Sequence, residues 1–210
     1  MGGLGRLYLV APARIRAGLL ADLIAELAGA GVDIVQLREK EMEAGDILRA
    51  AGPLLDACRE AGIPLIINDR PDIALALEAD GVHLDQDDLG PGIARRILGS
   101  GAIVGRSTHA RSEIEAGVAS PDRLDYIGVG PIHATPTKPD RGGTGLDLVR
   151  YAARVVSLPW YVTGGMNAMS LPEAMDAGAR RAVVVRGITE APDPVRAAAG
   201  IRQILDSQPV

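Results

Sequence analysis

The chain has 210 residues, 47% of them hydrophobic, enough for one sizeable core and near the lower length for an eight-unit barrel. A formal net charge of −5, no Phe and a single Trp argue against a general nucleic-acid binder, so any phosphate chemistry must rest on a few placed cations. No apolar run reaches membrane-spanning length and the N-terminus lacks the long apolar segment of a secretory signal, so no membrane partner and a cytoplasmic location are expected.

In chain order, short apolar runs alternate with helical patterns. "RLYLVA" leads to "LLADLIAELAGAG", "DIVQLRE" to "GDILRAAGPLLDACREAG", and "PLIINDR" to "PDIALALEA". Then come "DGVHLD" with "PGIARRILG", "AIVGRSTH" with "RSEIEAGVA", "DYIGVGP" with "LDLVRYAARVV", "WYVTGG" with "SLPEAMDAGA", and "RAVVVRG" with "PVRAAAGIRQIL". Glycines in "AGAG", "EAG" and "DAG" stand where left-handed helix C-caps belong. The strands are nearly all apolar until their last residues, the pattern of a parallel sheet buried on both faces. Eight such units predict an α/β fold, a single (β/α)8 TIM barrel forming one domain over residues 1–210. An open doubly wound sheet is the alternative. Cys58, the one cysteine, lies in an amphipathic helical run and reads as a buried helix residue.

Polar residues collect at the C-terminal ends of the strands, which in a barrel converge on one mouth where catalytic groups belong. In "QLREK", alternation puts Gln36, Arg38 and Lys40 on one side and Leu37 and Glu39 on the other. Two cations and an amide suit a polyanion, although a solvated strand end would look the same. Asp69 in "INDR" and Asp88 in "DQDD" would sit at two neighbouring mouths and suit a hard cation bound together with a diphosphate. The bland alternative makes Asp69 a helix cap and leaves Asp88 on the surface. "VTGGM" and "VVVRG" follow the last two strands, where many barrels bind phosphate through backbone N–H groups.

His83 and His109 have acid–base chemistry within reach, but histidines at strand ends are more often hydrogen-bonded packing residues. His133 reads as lining or solvent-facing, and Arg95, Arg96, Arg180 and Arg181 as solvated surface. Between the sixth strand and its helix runs "GPIHATPTKPDRGGTG", whose lysine stands between two prolines. Its length and rigid start read as a lid or binding loop.

Taken in order, "QLREK", "NDR", "GVHLDQDD", "GRSTH", "DYIGVGPIHATPTKPD", "TGGM" and "VVVRGITE" resemble the thiamine phosphate synthase family from about Leu7 to Pro194. The resemblance implies a Mg²⁺-dependent condensation of 4-amino-5-hydroxymethyl-2-methylpyrimidine diphosphate with 4-methyl-5-(2-phosphoethyl)thiazole, giving thiamine phosphate and pyrophosphate. It puts diphosphate and pyrimidine contacts on the run Gln36, Leu37, Arg38, Glu39 and Lys40, and on Asn68, Ser107 and Lys138. The thiazole phosphate falls to Thr135, Pro136, Thr137, Gly165, Val185 and Arg186, and Mg²⁺ to Asp69 and Asp88. Arg38, Lys40 and Lys138 take the catalytic role of stabilising the departing diphosphate.

The implied partners are small-molecule substrates, with neither nucleic acid nor membrane, and a homodimer stays open. Three positions depart from the family pattern: Asp85 adds a carboxylate near the metal site, Arg186 replaces a frequent serine, and His133 replaces a usual aromatic. Two other readings use the same scaffold. A thiazole tautomerase would share the barrel and a histidine near "STH", and a non-catalytic phosphate-ligand sensor would need neither the metal carboxylates nor the loop lysine.

Overall fold

Leu7–Ala11, the first apolar run, is buried at every position because it is a strand with side chains packed on both faces. In the computed structural model, which describes residues 4–134 and 142–208, this strand (β1) is followed by seven more: Ile34–Leu37 (β2), Leu65–Asn68 (β3), Gly81–Leu84 (β4), Ile103–Thr108 (β5), Tyr126–Val129 (β6), Trp160–Val162 (β7) and Ala182–Val184 (β8). All pair in parallel with their sequence neighbours, and β8 pairs with β1 to close the barrel. The open doubly wound alternative is excluded by that closure.

Helices fill the gaps between strands. They are Ile24–Gly29 (α1), Ala44–Ala61 (α2), Pro71–Leu77 (α3), Pro91–Leu98 (α4), Arg111–Val118 (α5), Leu146–Val155 (α6), Leu171–Asp176 (α7), a short Arg186–Thr189 (α8) and Pro194–Asp206 (α9). In α2 the spacing of Ile47, Ala51, Leu54, Leu55 and Cys58 turns one stripe to the sheet. Gly62 ends it in the left-handed region at φ 70°, as the "EAG" signal predicts. Cys58 is fully buried, and burial pushes its thiol up to about 12, which keeps it protonated and inert. A small hairpin pairing Arg14–Ile15 with Gly18–Leu19 fills the gap between the first apolar run and the helical run, and a 3-10 turn at Ala21–Leu23 takes the start of the latter, read from sequence as helix.

Alternation gives each strand two cores. Leu9, Val35, Ile67, Ile127 and Val129 face the helices, whereas Tyr8, Val10, Ile34, Ile66, Tyr126 and Tyr161 fill the barrel interior. The three tyrosine rings meet edge to face, with centroids 5.3–5.6 Å apart. Gly105 makes room for them, since a Cβ there would lie 2.0 Å from the Tyr126 ring.

At the opposite, N-terminal end of the barrel, Asp33, Asp80 and Asp125 each accept a backbone N–H from a neighbouring strand: Leu7, Leu65 and Val104, at 2.8–2.9 Å. Arg95 corrects the surface reading given to it. Its guanidinium is mostly buried, reaches Asp125 Oδ2 at 2.5 Å and donates to the carbonyls of Ala102 and Arg123.

Candidate active site

The strand ends bring most of the described candidates to one mouth. Gln36, Arg38 and Lys40 line a cavity there together with Asn68, Asp69 and Ser107. Leu37 does not join them: alternation turns its side chain into the core between sheet and helices, where it is 1% exposed, so only its backbone remains for a ligand. Glu39 also turns away, and its Oε1 accepts the Ala13 N–H at 2.8 Å, tying the end of β2 to the segment after β1.

The two acids approach each other. Asp69 is not a helix cap: Arg70 holds that position before α3, and Asp69 lies in the left-handed region at φ 62°. Its N–H donates to the carbonyl of His83 at 2.8 Å, and its Oδ2 pairs with Lys40 Nζ at 3.0 Å. Asp88 Oδ2 accepts the N–H of Asp85 at 2.6 Å. Burial first, and then the adjoining Asp69 carboxyl, push the Asp88 carboxyl up to about 6, against the pull of the Asp85 N–H and the Lys40 ammonium. Two carboxyls thus stand together beside a lysine, a hard-oxygen pair that a divalent cation suits.

Asp85, the added carboxylate, is held by other groups. Its Oδ1 lies 2.9 Å from His109 Nε2 and accepts the Gln86 N–H at 2.9 Å. His109 Nδ1 meets the carbonyl of Gly130, so this imidazole bridges the loops after β4 and β6. Among the described residues no group of three His, Cys, Asp or Glu side chains is arranged to hold a metal.

A second pocket opens beside the first, lined by Gly164, Gly165, Asn167, Arg186 and Gly187, and both pockets share Thr163, Val183 and Val185 as walls. Gly164 and Gly165 both have positive φ, at 97° and 73°, which a side chain would oppose. Asn167 Nδ2 and Ser170 Oγ both donate to the Gly165 carbonyl, at 3.1 and 2.8 Å, and fix that turn. Arg186 is exposed at the mouth and has Glu190 at 3.9 Å. His133 lies against Gly165, half-exposed, and pairs with Glu173 at 2.9 Å. Thr135, Pro136, Thr137 and Lys138 lie outside the described residues.

Several lining residues escaped the sequence reading: Tyr8, Gly128 and Thr163 also wall the first cavity, as does His83, which the sequence placed at a strand end. Tyr8 carried a usable signal, since alternation from Val10 at the end of "LYLVA" points it inward; Gly128 carried none, because only its lack of a side chain makes it a wall.

A family model described as thiamine monophosphate synthase matches residues 7–188. The chain is 50% identical over 195 residues to the thiamine-phosphate synthase of Acidothermus cellulolyticus, covering 92% of each chain. It is 48% identical to that of Thermus thermophilus, covering 96% of this chain and 98% of the other. Its fold is similar to a solved thiamine phosphate pyrophosphorylase from Pyrococcus furiosus, with a TM-score of 0.83 at 27% identity over 96% of each chain.

Proposed function

The chain belongs to the thiamine monophosphate synthase family and is a transferase of thiamine biosynthesis; on that premise we propose that it joins 4-amino-5-hydroxymethyl-2-methylpyrimidine diphosphate to 4-methyl-5-(2-phosphoethyl)thiazole with Mg²⁺ as cofactor. The observation that carries this reading is the pair of adjoining pockets. One is lined by Arg38, Lys40 and Asp69 and suits a metal-bound diphosphate; the other, with its glycine turn and Arg186, suits a phosphate monoester; and they share the walls Thr163, Val183 and Val185.

In the proposed reaction the C–O bond between the pyrimidinylmethyl carbon and the diphosphate breaks, and its electron pair leaves with the diphosphate. The thiazole nitrogen then donates its lone pair to that carbon, forming the C–N bond of thiamine phosphate. Arg38 and Lys40, with Lys138 carried over from the resemblance, stabilise charge growing on the leaving oxygens, an effect worth roughly 3–4 kcal/mol per preorganised donor. Gln36, Asn68 and Ser107 orient the pyrimidine and its diphosphate. The resemblance adds Thr135, Pro136 and Thr137 to Gly165, Val185 and Arg186 as the groups for the thiazole phosphate, and holding both reactants in line lowers the barrier.

Mg²⁺ would be held by Asp69 and Asp88 and would supply charge neutralisation on the diphosphate. Among the described residues no helix is long and apolar enough to cross a membrane, and the proposed setting is the cytoplasm with small molecules as the only required partners.

The test is incubation of the purified chain with both substrates and Mg²⁺ and chromatographic detection of thiamine phosphate. Product that disappears with EDTA and returns with Mg²⁺ supports the assignment. Isomerisation of the thiazole without condensation would point instead to a tautomerase, and binding without turnover to a sensor.

A further inference from the structure

Beneath the mouth, five side chains from five strands or strand ends join in one hydrogen-bonded chain, whose three middle members, Tyr8, Tyr126 and His83, have no part in the proposed reaction. Gln36 Nε2 donates to the Tyr8 hydroxyl at 2.7 Å, and the Tyr8 and Tyr126 hydroxyls lie 2.8 Å apart. Tyr126 meets His83 Nδ1 at 3.0 Å, and His83 Nε2 meets Ser107 Oγ at 2.9 Å. Gln36 is 3% exposed, and Tyr8 and Tyr126 are 0% exposed, so bulk water cannot stand in for a missing partner. The register assembles the far end of the chain by placing Asn68 beside His83 and Ser107 beside Gly128.

Proton counting gives this chain a direction. An amide nitrogen only donates, so Tyr8 accepts from Gln36; with both phenols fully buried, the direction that leaves neither hydroxyl proton without a partner among these groups runs from Tyr8 to Tyr126. Tyr126, having accepted, donates to His83 Nδ1. That nitrogen is then an acceptor, and the remaining ring proton sits on Nε2 and points at Ser107. Burial holds both phenols well above their ordinary value, so each keeps the single proton the count requires.

We propose that Tyr8, Tyr126 and His83 form a directed relay that holds His83 as the neutral Nε2–H tautomer. It thereby presents the Gln36 amide oxygen as a fixed acceptor, and the Ser107 hydroxyl as a fixed donor, to the ring of the pyrimidine substrate. His83 and Tyr126 are on this view positioning residues: they act through Ser107 and Gln36 and need not touch reacting atoms. The proposal rests on the assignment of the first cavity to the pyrimidine diphosphate. Its physical content is that buried, hydrogen-bonded dipoles set before binding need no reorientation when the substrate arrives.

The decisive measurement is the ¹⁵N spectrum of the imidazole nitrogens in the substrate-free, full-length protein at neutral pH. The chain has three histidines, so His83→Gln identifies the His83 signals by loss. A protonated Nε2 and an unprotonated, hydrogen-bonded Nδ1 are expected. Tyr126→Phe removes one oxygen and should move the Nδ1 signal to that of an unbonded nitrogen or invert the tautomer. In the same variant kcat/KM for the pyrimidine diphosphate should fall about tenfold, the equivalent of one lost hydrogen bond, with the thiazole phosphate KM within about twofold of wild type.

Tyr8→Phe cuts the chain one link earlier and should leave the His83 tautomer intact while lowering the same kcat/KM. A proton on Nδ1 in the wild-type protein reverses the chain and overturns the proposal, whether or not the variants fold. The spectrum needs no turnover, so it separates the two failures: wild-type protein that forms no thiamine phosphate sinks the functional assignment, and a wrong tautomer in an active protein sinks only the relay.

Discussion

Asp69 stands in the left-handed region at φ 62°, a conformation that costs a non-glycine residue roughly 1–2 kcal/mol and that Asp tolerates better than most. The turn brings its carboxyl beside Asp88 and Lys40, so the strain coincides with a carboxyl pair at the mouth. A carboxyl raised from its ordinary value to about 6 stabilises the metal-free fold fully at low pH and loses that contribution as pH rises toward and through 6. In EDTA, Asp88→Asn should therefore melt above wild type at pH 7.5, with the gap closing as pH falls to 4; Mg²⁺ should raise the wild-type Tm and leave the variant's unchanged. Scanning calorimetry across that range checks both signs, and a gap that is constant with pH would take Asp88 out of the coupled pair. Activity follows the same pair, and Asp69→Asn or Asp88→Asn should shift the Mg²⁺ dependence of turnover to higher concentration with unaltered circular dichroism. Lys138, outside the described residues, is tested by kinetics. If it stabilises the departing diphosphate, Lys138→Ala lowers the single-turnover rate by about 10²-fold or more while the thiazole phosphate KM hardly moves, because charge that develops in the transition state is where it acts. An unchanged single-turnover rate would remove the lysine from the chemistry.

At the scale of elements the barrel separates its work by end. The C-terminal strand ends carry the site, and the N-terminal ends carry the aspartates of "DIVQ", "DGVH" and "DYIG", which accept N–H groups of neighbouring strands. Arg95 belongs to the N-terminal end, since it reaches from α4 to Asp125 and to the carbonyls of the segments before β5 and β6. Arg95→Ala should cost about 2–3 kcal/mol, from the lost charged hydrogen bonds and the buried carboxylate left behind. A lower urea midpoint with both KM values unchanged is the expected result; a raised KM would mean that this face communicates with the mouth. The same division explains what the sequence made legible. Strands read correctly because parallel strands buried on both faces are continuous apolar runs, and Gln36, Arg38, Lys40, Asn68, Asp69 and Ser107 read correctly as mouth residues because closure sends every strand end to one place. Arg95 was illegible because a helix pattern records which face is polar and not what the neighbouring loop offers. The chain from Gln36 to Ser107 was illegible because it depends on register between strands: Tyr8, His83 and Tyr126 are far apart in sequence and meet only inside the closed barrel.

For the whole molecule, a net charge of −5 would have to coexist with the two anionic substrates of the proposed reaction, and the mouth has Arg38 and Lys40 at one pocket and Arg186 at the other to do so. The pockets adjoin, yet the cations do not share a job, so their substitutions should act on different substrates. Arg186 is exposed and has only the distant Glu190 for a described ion pair, so its charge faces the solvent from which a phosphate arrives. Arg186→Ser keeps a hydroxyl donor on the turn and should raise the thiazole phosphate KM only modestly. Arg186→Glu replaces attraction with repulsion and adds a second carboxylate beside Glu190, so the KM for thiazole phosphate should rise by at least about tenfold, with a loss that shrinks as salt screens it. The pyrimidine diphosphate KM should stay within about twofold, because the proposed reaction assigns that substrate to Arg38, Lys40 and the Asp69–Asp88 pair across the shared wall. Steady-state kinetics with each substrate varied in turn, at low and high ionic strength, reads all three expectations. If Arg186→Glu raised the pyrimidine diphosphate KM and spared that of thiazole phosphate, the two pockets would have to exchange substrates. Equal effects on both would mean that Arg186 sets the potential of the whole mouth instead of binding one phosphate.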